Sequence, residues 1–386
     1  MKNYRIIDVF PVPEGAAMKQ RDLLWSKNSG HSKRWLVESI YATEQFLQQN
    51  SYKLLSHTSP MFEILSKIAI RDIPEDYGLP AIKNAKPIPL ESDNFHSLKE
   101  INTLKVCFVD GGNNHIFLSP GQAVHMVRLY YSIFENSRKI ESGRYTFILD
   151  THLVDEGYFD VCIFDVDHSG ILPEKMKIGV EEIDEREKIK GIGAYVRRMG
   201  EWLLMRRIVD KCDVLVRDGS LQTGEKREYE YSSKLFESLS SQILVGFSKT
   251  CSLLTTKGYS LVAAIHHLSL KNNIKAPWYY NPVARNISTI KGDMFMVKLH
   301  PFSEYVFRAE VYPEQRAEIA LGSLVLYSND PTFIGYPYGL IDADVNARIS
   351  DEEAKIYRTM VYNSADEFSR MEANAINAHD IISGVR

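Results

Sequence analysis

Two stretches of the 386-residue sequence share one local form: "VCFVDGG", whose carboxylate is Asp110, and "VLVRDGS", whose carboxylate is Asp218. Each is an apolar run closed by aspartate, glycine and a small residue. A carboxylate at a strand end can face a ligand, and the glycine beside it lets that ligand approach the backbone. Asp-Gly is also among the commonest turn dipeptides, so either stretch alone reads first as a structural turn, with Gly111 to Asn114 closing a hairpin. Two such stretches in separate strands say more. Neighbouring strands would bring the carboxylates together, and unit charges about 4 Å apart repel by roughly 4 kcal/mol at an effective dielectric of 20. Such a cluster needs a cation or a shifted pKa, and a divalent metal ion is the economical solution.

Glu201 extends the idea. In "GIGAYVRRMGEWLLMRRIVDKC" it shares a helical face with Leu204, Met205 and Ile208, so it heads an apolar file. The ordinary partner for it is Arg197 or Arg198, at i−4 and i−3, in a helix ion pair worth a few tenths of a kcal/mol. The alternative is a third metal-facing carboxylate.

The elements that must carry these residues are legible in outline. Residues 1–100 form an N-terminal extension with one helix, 31–50, and a loop-rich tract; residues 101–386 form the main domain. From 101 onward come β-branched and aromatic runs at 104–110, 115–119, 123–134 and 144–150, joined as an antiparallel meander. A charged helical stretch follows at 181–212, then a strand at 213–221, a helix near 232–241, a strand at 242–249 and a helical region to about 270. Strands return at 293–300 and 304–312. Ser350 and Glu353 have capping-box spacing and open a C-terminal helix that runs to about 377.

Composition narrows the possibilities. A 44% hydrophobic content supports a sizeable core, and 46 basic against 50 acidic residues leave a net charge of −4, so any nucleic-acid contact must be local. The four cysteines lie far apart with no C-x-x-C pair, which suits reduced thiols in a cytoplasmic protein and neither a zinc site nor a disulfide framework. No run of about 18 apolar residues occurs, so a soluble protein without a membrane partner is expected.

A carboxylate on the first strand, antiparallel hairpins, a helix with a second carboxylate, then a strand ending in a third is the element order of an RNase H-like α/β nuclease fold, a mixed sheet flanked by helices. The sequence resembles the NurA family of DNA-repair nucleases. The resemblance lies in "FVDGGNN", in "MGEWLLMRRIVDKCDVLVRDGSL" with Glu201 and Asp218 seventeen positions apart, in "ILVGFSKT", and in "FRAEVYPE" followed by "IGYPYGLIDADVNARIS", over roughly residues 100–360. It implies a Mn²⁺- or Mg²⁺-dependent nuclease for single- and double-stranded DNA, homodimeric, fed by a hexameric HerA-type translocase in repair or in defence against foreign DNA. It also implies that Asp110, Glu201 and Asp218 hold metal and that Lys249, after a strand, meets a phosphate or the developing charge.

One position departs from the family. Where the segment after "YP" usually carries Ala-His, this sequence has Asp344, which can still ligate Mn²⁺ or Mg²⁺ but lacks the proton-donating role of histidine. His379 is too far along to replace it, and His266 and His267, adjacent on a helix, should point apart as packing or surface residues. Local basic groups for DNA are Arg197, Arg198, Lys226 and Arg227, with Tyr229 and Tyr231 available for stacking, though glutamates interleave them as on a solvated face. Two rival readings are a non-catalytic DNA-guiding subunit of the translocase and an actin- or sugar-kinase-like Mg-ATPase whose Asp-Gly loops bind phosphate.

Overall fold

The computed structural model describes residues 74, 76–154, 157–183, 188–223, 226–285 and 291–374. The chain forms two compact units, Met1–Pro74 and Glu75–Arg386, and everything below belongs to the second. The helix expected at 31–50, and His379, lie outside the described residues.

Among the described residues eleven strands form one mixed sheet. In chain order they are β1 (Phe95–Ser97), β2 (Val106–Leu118), β3 (Gln122–Glu135), β4 (Arg138–Val154), β5 (Tyr158–Asp165), β6 (Lys175–Gly179), β7 (Val214–Asp218), β8 (Ile243–Ser248), β9 (Trp278–Tyr280), β10 (Asp293–Lys298) and β11 (Phe307–Tyr312). Their spatial order is β1-β9-β10-β11-β8-β7-β2-β3-β4-β5-β6. Only β2–β7 and β7–β8 pair in parallel. The segment β4-β3-β2-β7-β8, an antiparallel meander followed by two parallel strands, is the RNase H-like arrangement. β1 lies on the N-terminal side of the boundary expected at residue 101 and is the sheet's outermost strand on that side.

The central strands are buried on both faces, which is why they read as continuous apolar runs. Side chains alternate across a strand. Cys107, Val109 and Leu215 pack on one face with Val196, Met199 and Leu204 of α1 (Ile192–Ile208) and Leu235 of α2 (Lys226–Ser238). Phe108, Val214 and Val216 pack on the other with Leu321 of α4 (Ala317–Leu326) and Leu340 and Ala343 of α5 (Tyr338–Ala347). Between α2 and α4 in the chain, α3 (Leu261–Lys271) covers β9 and β10 through Leu261 and Ile265. The last, α6 (Asp351–Ser364), starts at Ser350, whose hydroxyl accepts from the Glu353 amide as the capping-box spacing predicts.

Three expectations need correction. Gly111–Asn114 do not close a hairpin: β2 runs from Val106 to Leu118, paired with β3 on both sides of a bulge at Ile116, and the chain reverses after Leu118. The glycines serve close approach instead. A β-carbon on Gly112 would overlap the Ala347 carbonyl oxygen of α5, and one on Gly111 would stand 2.8 Å from Arg197 and from Glu201. The helix expected over 181–212 spans only Ile192–Ile208, with Gly191 as its N-cap. The C-terminal helix breaks at Ala365–Asp366, where the Asp366 carboxylate accepts from the Ser369 amide and opens a new helical segment. No described helix is long and apolar enough to cross a membrane.

Candidate functional site

Register brings the first two carboxylates together. β2 and β7 pair in parallel from Val106↔Val214 to Val109↔Arg217, so the next step along both strands is Asp110 and Asp218. β8 extends the row: Phe247 is opposite Asp218, and Lys249 follows the strand end. Carboxyl ends of parallel strands are where open α/β sheets place ligand sites.

Alternation then sorts the neighbours by face. Asp110 shares its parity with Phe108, and Asp218 with Val216, so both aim at the α5 side of the sheet, where Asp344 projects from that helix. One oxygen from each of Asp110, Asp218 and Asp344 lies within 4.8 Å of the other two. Helix α5 is fixed by Asp342, which receives Lys139 at 2.6 Å and the Tyr130 hydroxyl at 3.2 Å, both from the meander.

Glu201 approaches the same strand end from the α1 side and stands outside that trio. Its two oxygens are engaged separately. Oε1 accepts from Arg197, which also donates to the Gly111 carbonyl, and Oε2 accepts two bonds from Arg217, at 2.9 and 3.0 Å. Arg217 precedes Asp218 and therefore points to the opposite face; its guanidinium lies 4.5 Å from the Trp202 ring centre. Both the ordinary ion pair with Arg197 and the inward position expected for Glu201 are thus present, and the carboxylate is 1% exposed.

Lys249 bridges two acids, 2.6 Å from Asp218 and 2.9 Å from Asp344, and Arg348 adds a bond of 2.6 Å to Asp344. Asp110 has a backbone amide, Gly111 at 2.7 Å, and no ion pair among the described residues. The titrations follow these partners. Burial first, then the charges of Asp218 and Glu201, push the Asp110 carboxyl up to about 8. Burial also raises Asp218, against the pull of Lys249. For Asp344 burial is outweighed by Lys249 and Arg348, and its pKa ends below the ordinary value. Burial alone would depress Lys249, but its two carboxylates hold it above the usual lysine range.

Sequence reasoning passed over Tyr336, the tyrosine of "GYP" two residues before α5. It is 3% exposed, its ring centre is 5.9 Å from Lys249 Nζ, and its hydroxyl pKa is raised by burial and by Asp218, Asp110 and Asp344. A buried aromatic amid aromatics looks like core from sequence; only the loop geometry turns it to the acids.

The other basic residues are elsewhere. Arg197 is held by Glu201, Arg198 lies over the Tyr195 ring, and Arg227 pairs with Glu182 at 3.3 Å. The side chain of Lys226 is outside the described residues. His266 meets Lys298 and His267 meets Tyr77, so the two do point apart.

The trio fits a hard divalent cation. It offers only carboxylate oxygens, which suit Mg²⁺ or Mn²⁺, and it contains a buried acid, Asp110, that makes no ion pair among the described residues.

No family model and no curated protein matches the chain. Among solved structures it is similar to the NurA nuclease from Sulfolobus solfataricus, at 14% identity and a TM-score of 0.44, over 84% of this chain and 96% of that one. It is similar to the catalytic domain of human endonuclease V at 12% identity and a TM-score of 0.34, over 70% and 92%. A Ciona intestinalis endonuclease V, solved with a 24-mer DNA containing an inosine, gives 10% and 0.34, over 71% and 94%. The fold described above rests on the chain's own strand order.

Proposed function

We propose that the protein is a nuclease that hydrolyses phosphodiester bonds of single- and double-stranded DNA with Mn²⁺ or Mg²⁺. One observation carries the reading: Asp110, buried and with no ion pair among the described residues, converges with Asp218 and Asp344 where the parallel pairing of β2 with β7 ends. A divalent ion held there would activate water and stabilise the leaving oxygen. Asp110, Asp218 and Asp344 are the ligands we assign, with Glu201 supporting the strand end through Arg197 and Arg217 and available as a further ligand. Lys249, 41% exposed in its side chain, is the cation that meets the scissile phosphate, a compact charge aimed at oxygens that gain charge as the bond breaks. Arg198, Lys226 and Arg227 are assigned the outer DNA contacts, while Arg197 serves Glu201.

The chemistry of DNA cleavage explains why the acids are packed so tightly. A phosphate approaching unneutralised carboxylates is repelled; the same acids around a divalent ion present net attraction. The Mg-ATPase alternative needed two phosphate-binding turns, and one of them is the continuous strand β2. The homodimer and the hexameric HerA-type translocase belong to the same proposal, supported by the motif resemblance over residues 100–360.

The test is degradation of end-labelled linear DNA with Mn²⁺, with and without the translocase, by the wild type, Asp110→Ala and Asp218→Ala. The wild type should degrade DNA and both variants should lose at least about a hundredfold in rate. Equal degradation by all three sinks the site, and a wild type inert with its partner favours the guiding-subunit reading.

A further inference from the structure

We propose that Tyr305 and Phe333, with Phe302 on the same loop as Tyr305, form a stacking platform for the unpaired bases of a single-stranded nucleic acid whose backbone enters the carboxylate site at Lys249. This rests on the nuclease reading above and adds the route by which a strand arrives.

Several large aromatic side chains are exposed although their area favours burial, among them Phe164, Tyr229 and Phe368 as isolated positions. Two loops carry exposed rings on the side of the carboxylates. One, between β10 and β11, carries Phe302 at 82% exposure and Tyr305 at 54%; the other, between α4 and α5, carries Phe333 at 38%. The loops brace each other. The Ser303 hydroxyl accepts from the Tyr305 amide, and Gly335, at φ +93, packs against Ser303 so closely that a β-carbon would collide with it.

Tyr305 and Phe333 form one path with the site. Tyr305 and Phe333 stack at 5.2 Å with 25° between their planes, and Phe333 meets Tyr336 edge-on at 5.6 Å. Tyr336 in turn lies 5.9 Å from Lys249 Nζ, which touches Asp218 and Asp344. A row of rings that ends beside a lysine at an acidic cluster matches a polymer with flat apolar bases on one side and phosphates on the other. Continuity with the carboxylates selects this occupant over a protein surface, because a protein seated on the rings would cover the way to the site. The carboxylate of Asp330 is engaged within its own loop, where it accepts from the Thr332 amide. Duplex bases are already stacked on one another, so the platform discriminates between the two forms of substrate.

The experiment measures anisotropy of a labelled thymidylate strand of about 20 nucleotides and of a matching duplex, in EDTA, for the full chain and for Tyr305→Ala, Tyr305→Trp and Phe302→Ala. Tyr305→Ala should raise the single-strand Kd by about 5- to 150-fold, Tyr305→Trp should bind as the wild type does, and duplex Kd should change less than about twofold. Phe302→Ala, a change at a site with little packing to lose, should weaken single-strand binding in the same direction. Unchanged single-strand affinity in both alanine variants overturns the platform, as does equal loss for duplex. So does a sedimentation change with DNA affinity intact, which makes the patch a protein contact. Because binding is read without metal, a chain that binds through Tyr305 but never cleaves overturns the nuclease reading and leaves the platform standing. A chain that cleaves with Tyr305→Ala binding normally does the reverse.

Discussion

Replacing Asp110 by asparagine should make the metal-free protein more stable and remove its activity. The sign follows from the titration. Aspartate ordinarily ionises near 4, and burial with the charges of Asp218 and Glu201 pushes Asp110 up to about 8 in the fold. A carboxyl raised on folding contributes its stability below the unfolded value, and that contribution is lost as pH rises through the folded value. Stability therefore falls by about 1.4 kcal/mol per pH step between roughly pH 4 and pH 8, to a total on the order of 5 kcal/mol. Asparagine keeps the shape and can still accept from the Gly111 amide at 2.7 Å, but it carries no charge to desolvate. Thermal melts in EDTA at pH 5, 6, 7 and 8 should show Asp110→Asn above the wild type by a small margin at pH 5, growing to roughly 5–10 °C at pH 8. Mn²⁺ at about a hundred times its Kd should then raise the wild type by about 2.7 kcal/mol and leave the variant nearly unmoved. A difference between the two proteins that does not grow with pH, or a variant that melts lower at pH 8, would refute the account of Asp110 as an uncompensated buried acid.

Lys249→Met should split metal binding from catalysis: with the bridging cation gone from Asp218 and Asp344, Mn²⁺ binds more tightly by calorimetry while single-turnover cleavage drops by about 10²- to 10³-fold. A joint fall in both would make Lys249 a structural residue. Gly112→Ala should cost about 1–3 kcal/mol in urea unfolding and slow cleavage, because its β-carbon would drive Ala347 and the end of α5 away from β2; unaltered stability would mean that α5 can shift freely. Asp344→Ala should raise the Mn²⁺ concentration for half-maximal cleavage at least about tenfold and Asp344→His should restore it; an unchanged titration in the alanine variant places Asp344 outside the site.

Much of the fold was legible because the central strands carry apolar side chains on both faces, and "VCFVD" and "VLVRD" therefore stand out as runs. The "GGNN" tract misled because its composition is that of a turn, while the determinant of its conformation is non-local: β3 pairs with each of Gly111 to Asn114, and α5 needs the missing side chain at Gly112. No local propensity contains that requirement. β5 and β6 were likewise missed; they form one edge of the sheet, and their alternating pattern is weaker than that of the central strands. Among the site residues, Asp110, Asp218, Lys249 and Asp344 lie together, though Asp110 sits inside β2 and not at its end, and Glu201, expected beside them, stands on the other face. Tyr336 escaped because nothing in sequence separates it from the aromatic core it adjoins.

The division of labour among the acids follows from strand parity more than from their order in the chain. Adjacent residues of β7 point to opposite faces, so Arg217 must go to α1 if Asp218 goes to α5, and the same rule sends Gly111 toward Glu201 when Asp110 faces Asp344. One face thus receives a neutralised set, Glu201 with Arg197 and Arg217, packed on the Trp202 ring in the larger core. The other receives three acids with Lys249 and Arg348, leaving Asp110 uncompensated. A buried charge without a partner is unfavourable by several kcal/mol unless it protonates or binds a cation, and structural networks shed such groups readily by substitution. A buried acid of this kind beside a neutralised neighbour across the same strand is what favours the proposed ion site over an ordinary buried salt-bridge network.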